Sequence, residues 1–321
     1  MSRAVVFAGQ GAQTVGMGKD LAEAVPACRE LFERADDVLG YSLSAICFHG
    51  PEEELTRSDH CQPAIFVASM ACYRALCERV PALDAAFMAG LSLGEWTALH
   101  AAGALSFDET LRVLEARGRF MQDACEQQRG GMVSVIGLPA DVLQEICGRT
   151  GVVMANLNSP AQTVLSGEAD AVRQAAALAS EAGAKRAIPL SVAGAFHSPL
   201  MQEAADRLQE VLAGVTFAAP RPPVVANVTG RPHAADGAGI GPRMIEQVTH
   251  AVQWYPAIEW MQAQGVASFV ECGPGKVLSG LIKRIDRNLA TCHVEDLASL
   301  EKTAEELAGA CGGAPGPGTA A

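Results

Sequence analysis

No Cys-x-x-Cys pair occurs among the ten cysteines of this 321-residue sequence; the closest two, Cys72 and Cys77, stand five apart. That spacing excludes a zinc ribbon and a thioredoxin-type redox motif. Both cysteines sit in apolar, helix-like surroundings and read as buried small hydrophobes of a reducing, cytoplasmic protein. No basic run is present and the net charge is −12, which argues against a general nucleic-acid binder. No apolar run approaches the length of a membrane span. Met1-Ser-Arg passes directly into the strand-like Ala4–Phe7, so no signal peptide is expected. Gly9-Gln10-Gly11-Ala12-Gln13 stops short of a dinucleotide fingerprint: position 14 is Thr14, and no acid ends a second strand about twenty residues on. Gly273-Pro-Gly275-Lys276 is no P-loop, because Val270 stands where glycine is required and Val277 where Ser or Thr is.

What is present is ample for a large core: 49% of residues are hydrophobic and 19% charged. The length suits one big or two modest domains. The organising stretch is Gly90-Leu91-Ser92-Leu93-Gly94. Before it runs the apolar Ala85–Ala89, suited to a buried strand; after it an Ala- and Leu-rich segment suits a helix ending near Gly103. Gly-x-Ser-x-Gly between strand and helix is the nucleophile elbow, a turn too tight for side chains on its flanks. It lifts the serine hydroxyl to a helix N-terminus, where free N–H groups favour developing negative charge. The Gly9–Gly11 loop reads as bare backbone that must approach something closely.

Periodicity predicts an amphipathic helix over 19–39, a short one over 51–57, a buried central helix over 63–80 and another over 107–127. Gly130-Gly131 breaks the chain, and the texture changes. Strand 132–137, helix 140–149, strands 152–157 and 163–166, helix 168–181 and strand 185–191 follow in the order of a ferredoxin-like split unit. It reads as an inserted α+β subdomain, residues 130–192, within a discontinuous larger domain, 1–129 and 193–308. Helix 199–213, a strand near 220–228, helices 241–248 and 257–264, strand 268–271 and a helix to about 288 complete that domain. The Gly-, Ala- and Pro-rich end, 309–321, is expected to be disordered.

A serine at neutral pH needs a base. Of seven histidines, His100 lies eight residues along the elbow helix, about 12 Å of rise, out of reach. His197, in Val192-Ala-Gly-Ala-Phe-His-Ser-Pro199, sits at a strand end among small residues, where a loop can carry an imidazole over an elbow; a solvated loop histidine is the alternative.

These motifs, with Arg117-Gly118, Asn156-Leu-Asn-Ser-Pro160, Val252-Gln-Trp254 and Glu271-x-Gly-Pro-Gly275, resemble the malonyl-CoA:acyl carrier protein transacylase family from residue 3 to about 290. That family is the stand-alone acyltransferase of fatty-acid synthesis, related to polyketide synthase acyltransferase domains. The resemblance implies a hydrolase-like α/β core with a parallel sheet plus the inserted ferredoxin-like subdomain. It implies Ser92 as nucleophile, His197 as base then acid, and the N–H groups of Gln10 and Leu93 as oxyanion hole. It implies Arg117 for the substrate carboxylate, a backbone carbonyl near Gln247 to orient the histidine, and Phe196, Leu91 and Asn158 about the substrate. Malonyl-CoA, CoA and acyl carrier protein are the expected partners, with no metal, bound cofactor, nucleic acid or membrane, and a monomer is expected. Two positions depart from the family: Ala8 replaces a usual proline and Leu91 a common histidine. A trans-acting polyketide acyltransferase shares every motif. An α/β-hydrolase esterase, ordered Ser, then Asp/Glu, then His, finds acids enough between 93 and 196 but has no use for Gln10 or Arg117. A non-catalytic carrier-docking module is at odds with intact Ser92 and His197.

Overall fold

The computed structural model describes residues 2–192 and 194–311. Its strands are β1 (Ser2–Phe7), β2 (Phe87–Gly90), β3 (Gly130–Ile136), β4 (Val153–Ser159), β5 (Gln162–Glu168), β6 (Arg186–Pro189), β7 (Val225–Ala226), β8 (Arg231–Pro232), β9 (Val266–Cys272) and β10 (Ala290–Val294). A parallel sheet in the order β10-β9-β1-β2 forms the core, with helices on both faces. The carboxyl ends are level: Phe7 pairs with both Gly90 and Cys272. The Gly9–Gln10 loop, the elbow and the Gly273 loop therefore leave the sheet side by side, at the edge where open α/β sheets bind ligands. The 22-residue helix Ser58–Arg79 is buried along most of its length beside the helix Phe107–Gln127.

The second sheet is antiparallel in the order β4-β5-β3-β6, with helices Ala140–Thr150 and Ala169–Glu181 on one face. That is the ferredoxin-like split order, and it encloses its own apolar cluster around Val133, Leu143, Leu165 and Val172. Bonds from Val252 N to Ala155 O and from Leu157 N to Val252 O tie this sheet to the parallel body.

Three expectations differ from the fold. The helix over 19–39 is two, Lys19–Ala24 and Pro26–Leu39, because Val25 precedes a proline and is held extended while Pro26 starts the next helix at its first position. Only Val225–Ala226 of 220–228 is strand, a short hairpin with β8. The pattern predicts nothing over 289–308, yet β10 and the helix Leu297–Cys311 lie there; the helix passes residue 309, and the rest of the expected disordered tail, 312–321, lies outside the described residues. The nine cysteines from Cys28 to Cys292 are free thiols, six of them buried. Among the described residues no helix is long and apolar enough to cross a membrane.

Candidate active site

Ser92 follows β2 with φ 54° and ψ −108°, left-handed for an L residue. The flanking glycines are steric necessities: a Cβ at Gly90 would strike the Gly94 carbonyl, and one at Gly94 the Phe7 carbonyl. The turn is held from behind by Asn227, whose Oδ1 accepts from Ser92 N (2.7 Å) and whose Nδ2 donates to Gly90 O (2.7 Å). Ser92 sits at the N-cap of the helix Leu93–Ala101, yet its hydroxyl caps nothing and is left for other partners.

Those partners are His197 and Arg117. His197 Nε2 lies 2.8 Å from Ser92 Oγ. Its Nδ1 faces two backbone carbonyls, Gln247 O at 2.8 Å and His250 O at 3.2 Å. Carbonyls only accept, so Nδ1 carries the proton and Nε2 presents its lone pair to the hydroxyl. His197 has φ 56°; it and Ser92 are the only non-glycine residues with positive φ among the described ones, so backbone strain is confined to the two reacting groups. Burial, then the nearby Arg117 charge, pushes the imidazole down to about 4, so it is neutral at neutral pH.

Arg117 comes from the middle of the helix Phe107–Gln127 and is 1% exposed. Its Nη1 donates to Gln62 Oε1 (2.6 Å) and its Nη2 to Ser92 Oγ (3.2 Å) and Gln247 Oε1 (3.1 Å). Its Nε is buried without a partner. Burial lowers its pKa to about 10 while Glu95 opposes, so the guanidinium stays charged. A desolvated cation bonded only to neutral groups beside a nucleophile is a place for an incoming carboxylate.

Gln10, Leu91, Ser92, Asn156, Phe196 and His197 line a cavity of about 140 Å³ between the elbow and the second sheet. The Gly9 backbone closes on the elbow: a Cβ there would come 2.5 Å from Leu91 O, so the loop carrying Gln10 can approach Ser92 only as glycine. Leu93 is the first residue of the elbow helix, whose opening N–H groups have no intrahelical partner. Gln10 Nε2 donates to Ser58 Oγ (3.1 Å), which fixes the loop against the central helix. Phe196 packs beside His197 at the cavity wall. The asparagine in the cavity lining is Asn156; Asn158 lies one pleat further along β4, outside the lining, with its Oδ1 buried and unpartnered. The pairing of β4 with β5 is irregular between Met154 and Asn156 and between Leu157 and Ser159. His100 bonds Leu105 O (2.9 Å) and packs on Phe66 and Phe107, away from Ser92.

Sequence reasoning missed Asn227, Gln62, Glu95 and His233. The first two have no local motif; the buried Glu95–His233 pair, Oε1 to Nε2 2.7 Å, joins residues 138 apart. Among the described residues no cluster of three or more His, Cys, Asp or Glu could hold a metal.

Comparison with known proteins agrees with this arrangement. Residues 4–305 match the acyl transferase domain family. The chain is 42% identical over 309 residues to the malonyl CoA-acyl carrier protein transacylase of Bacillus subtilis (strain 168), spanning 95% of this chain and 96% of that protein. The crystal structure of the acyl-carrier-protein S-malonyltransferase of Bartonella henselae superposes with a TM-score of 0.91 at 41% identity, over 96% of this chain and 100% of that one. A malonyl-transacylase solved in complex with a type II polyketide synthase acyl-carrier protein gives 0.91 and 41% over 95% of this chain and 100% of its own. With its elbow serine, carbonyl-held histidine and buried arginine, the chain belongs to the acyl transferase family, as one of the malonyl-CoA:acyl carrier protein transacylases.

Proposed function

We propose that this enzyme transfers malonyl from malonyl-CoA to the phosphopantetheine thiol of acyl carrier protein, supplying fatty-acid synthesis in the cytoplasm. The observation that carries the reading is the Ser92 hydroxyl bonded at once to His197 Nε2, at 2.8 Å, and to Arg117 Nη2, at 3.2 Å. His197 takes the Ser92 proton as Oγ attacks the thioester carbonyl. The N–H groups of Gln10 and Leu93 receive the oxyanion. The intermediate collapses, the C–S bond breaks, and the CoA sulfur leaves with the proton from His197. The carrier thiol then gives its proton to His197, attacks malonyl-Ser92 and releases the serine, which regains the proton. Arg117 holds the malonyl carboxylate through both halves with a planar donor fork. Phe196 and Leu91 wall the acyl group, and the Gln247 carbonyl keeps the imidazole in its tautomer. Residues 130–192 act as a subdomain closing one side of the cavity, and all these groups come from one chain, which suffices as a monomer.

His197 Nδ1 on two carbonyls rather than a carboxylate speaks against the esterase triad. The experiment is intact mass after mixing with malonyl-CoA, then with holo carrier protein from a fatty-acid or a polyketide system. A malonyl adduct that moves to the fatty-acid carrier is expected. An adduct lost only to water would make the protein a hydrolase, and one that moves only to the polyketide carrier would change its pathway.

A further inference from the structure

The pattern Ser92-x-x-Glu95 at the start of a helix reads as a capping box, in which the glutamate would reach back to the N-cap amide. It is not one here. Ser92 N is taken by Asn227 Oδ1, and the box that does form is Ser106 with Glu109, one helix later. Glu95 instead points inward, wholly buried, with three donors on its carboxylate. They are His233 Nε2 (2.7 Å), Asn227 N (3.0 Å) and Gln247 Nε2 (2.6 Å). A buried acid is costly unless donors compensate it, and these three tie Glu95 to the elbow's supports.

Gln247 is what depends on it. Its backbone carbonyl accepts from His197 Nδ1, and its side-chain Oε1 accepts from Arg117 Nη2 at 3.1 Å. Its Nε2 faces acceptors: Glu95 Oε2, Ser92 O (3.0 Å) and Asn227 Oδ1 (3.4 Å). Rotated by half a turn, the amide would set NH₂ against the guanidinium and oxygen against the carboxylate, so both faces would repel. The Glu95 carboxylate and the Ser92 carbonyl only accept and the guanidinium only donates; together they decide the orientation, and the bond to Glu95 is the shortest of the three.

We propose that Glu95, seated on His233, is a positioning residue: it fixes the Gln247 amide so that its oxygen faces Arg117 and keeps the guanidinium on Ser92 Oγ. The proposal rests on Arg117 as the carboxylate-holding group. It separates two tasks of one residue. The Gln247 carbonyl that holds His197 belongs to the backbone, which is anchored independently by Gln247 N on Arg243 O. Asn227, which holds the Ser92 turn, also rests on Glu95 through its N–H, so a change that keeps an acceptor there moves acyl selectivity and spares the Ser92–His197 pair.

The test is Glu95→Gln, nearly isosteric but able to donate as well as accept. Acylation of Ser92 by malonyl-CoA and by acetyl-CoA is followed as kcat/KM on wild type, Glu95→Gln, Glu95→Asp and Arg117→Ala, together with a crystal structure of Glu95→Gln. The malonyl-to-acetyl ratio should fall about tenfold or more in Glu95→Gln, the scale of a buried hydrogen bond to a charged group. Acetyl transfer should stay within about threefold, and Glu95→Asp, still acceptor-only, should recover most of the ratio. In the structure the Gln247–Arg117 bond should be broken. A merely structural Glu95 would lower both substrates together. An unchanged ratio with the bond intact overturns the proposal. If Arg117→Ala itself leaves the ratio unchanged, the carboxylate reading of Arg117 fails, and the Gln247–Arg117 distance alone then decides whether Glu95 positions the guanidinium.

Discussion

Replacing Arg117 by methionine should move the acid limb of the pH–rate profile upward. His197 works as a base only when neutral, and burial together with the Arg117 charge holds its pKa to about 4. Wild-type activity should thus persist to about pH 5 and fall near 4. Arg117 Nη2 and His197 Nε2 are each bonded to Ser92 Oγ, at 3.2 and 2.8 Å, so they are at most about 6 Å apart. Two unit charges at that distance interact by about 3 kcal/mol at an effective dielectric of 20 and about 0.7 kcal/mol in water. Removing the cation favours imidazolium by that amount, a rise of about 0.5 to 2 pKa units. Burial, the larger cause, remains, so the limb should stop short of the ordinary histidine value. The assay is kcat/KM for acetyl-CoA from pH 4 to 8, since a neutral acyl group does not need the arginine and kcat/KM reports the free enzyme. A limb that stays put, or moves to lower pH, would refute the electrostatic account of His197.

Ser92→Ala should abolish the malonyl adduct in intact mass, and persistent labelling mapped to another hydroxyl would sink the nucleophile assignment. Arg117→Ala should lower malonyl kcat/KM by roughly 30- to 5,000-fold while acetyl transfer rises relative to malonyl, the cost of about 2–5 kcal/mol for a desolvated arginine–carboxylate pair. His197 is neutral and buried with a pKa lowered from 6.5 to about 4, so unfolding takes up a proton as pH falls through that window. Urea titrations should show about 3 kcal/mol of stability lost between pH 6.5 and 4, less in His197→Gln; equal losses in both would assign the acid sensitivity elsewhere. Lys276, Lys283, Arg284 and Arg287 are exposed on or beside the helix Val277–Ile285, whose other face packs Leu278, Leu281 and Ile282 inward. Reversing Lys283 and Arg284 to glutamate should raise the KM for an acidic carrier protein and flatten its salt dependence; no change would place docking on another face.

The elbow and the split βαββαβ unit were legible because each rests on local chemistry, and the pairing of Ser92 with His197, 105 positions on, came from the family resemblance. Glycine spacing, a strand-then-helix pattern and small residues around a loop histidine all lie within a few positions of one another. The supports were not legible because they are made by distance in sequence. Asn227 reaches Ser92 across 135 positions and Glu95 reaches Gln247 across 152, and neither leaves a periodic trace. Ser92-x-x-Glu95 has the spacing of a cap, yet tertiary partners override it. Of the two asparagines two positions apart on β4, Asn156 lines the cavity and Asn158 does not, and no short motif tells them apart. The break at Pro26, by contrast, was available in the chain and was obscured by the strong amphipathic pattern on both sides.

A histidine with a pKa near 4 is a weak base for a serine, and the cation that helps to depress it is the same group that would seat the substrate. The two facts are coupled. A carboxylate resting on Arg117 would cancel most of the guanidinium field felt at His197, leaving burial as the chief remaining cause of the shift. The base would then strengthen when an acidic acyl group arrives and stay weak for water or a neutral acyl thioester. Selectivity in this site would accordingly reside in the basicity of His197 as well as in the donor fork of Arg117. The groups bonded to the guanidinium, Gln62 and Gln247 at 2.6 and 3.1 Å, carry no charge of their own, so Glu95, which acts on Arg117 through space, is the charge that offsets its field before a substrate arrives.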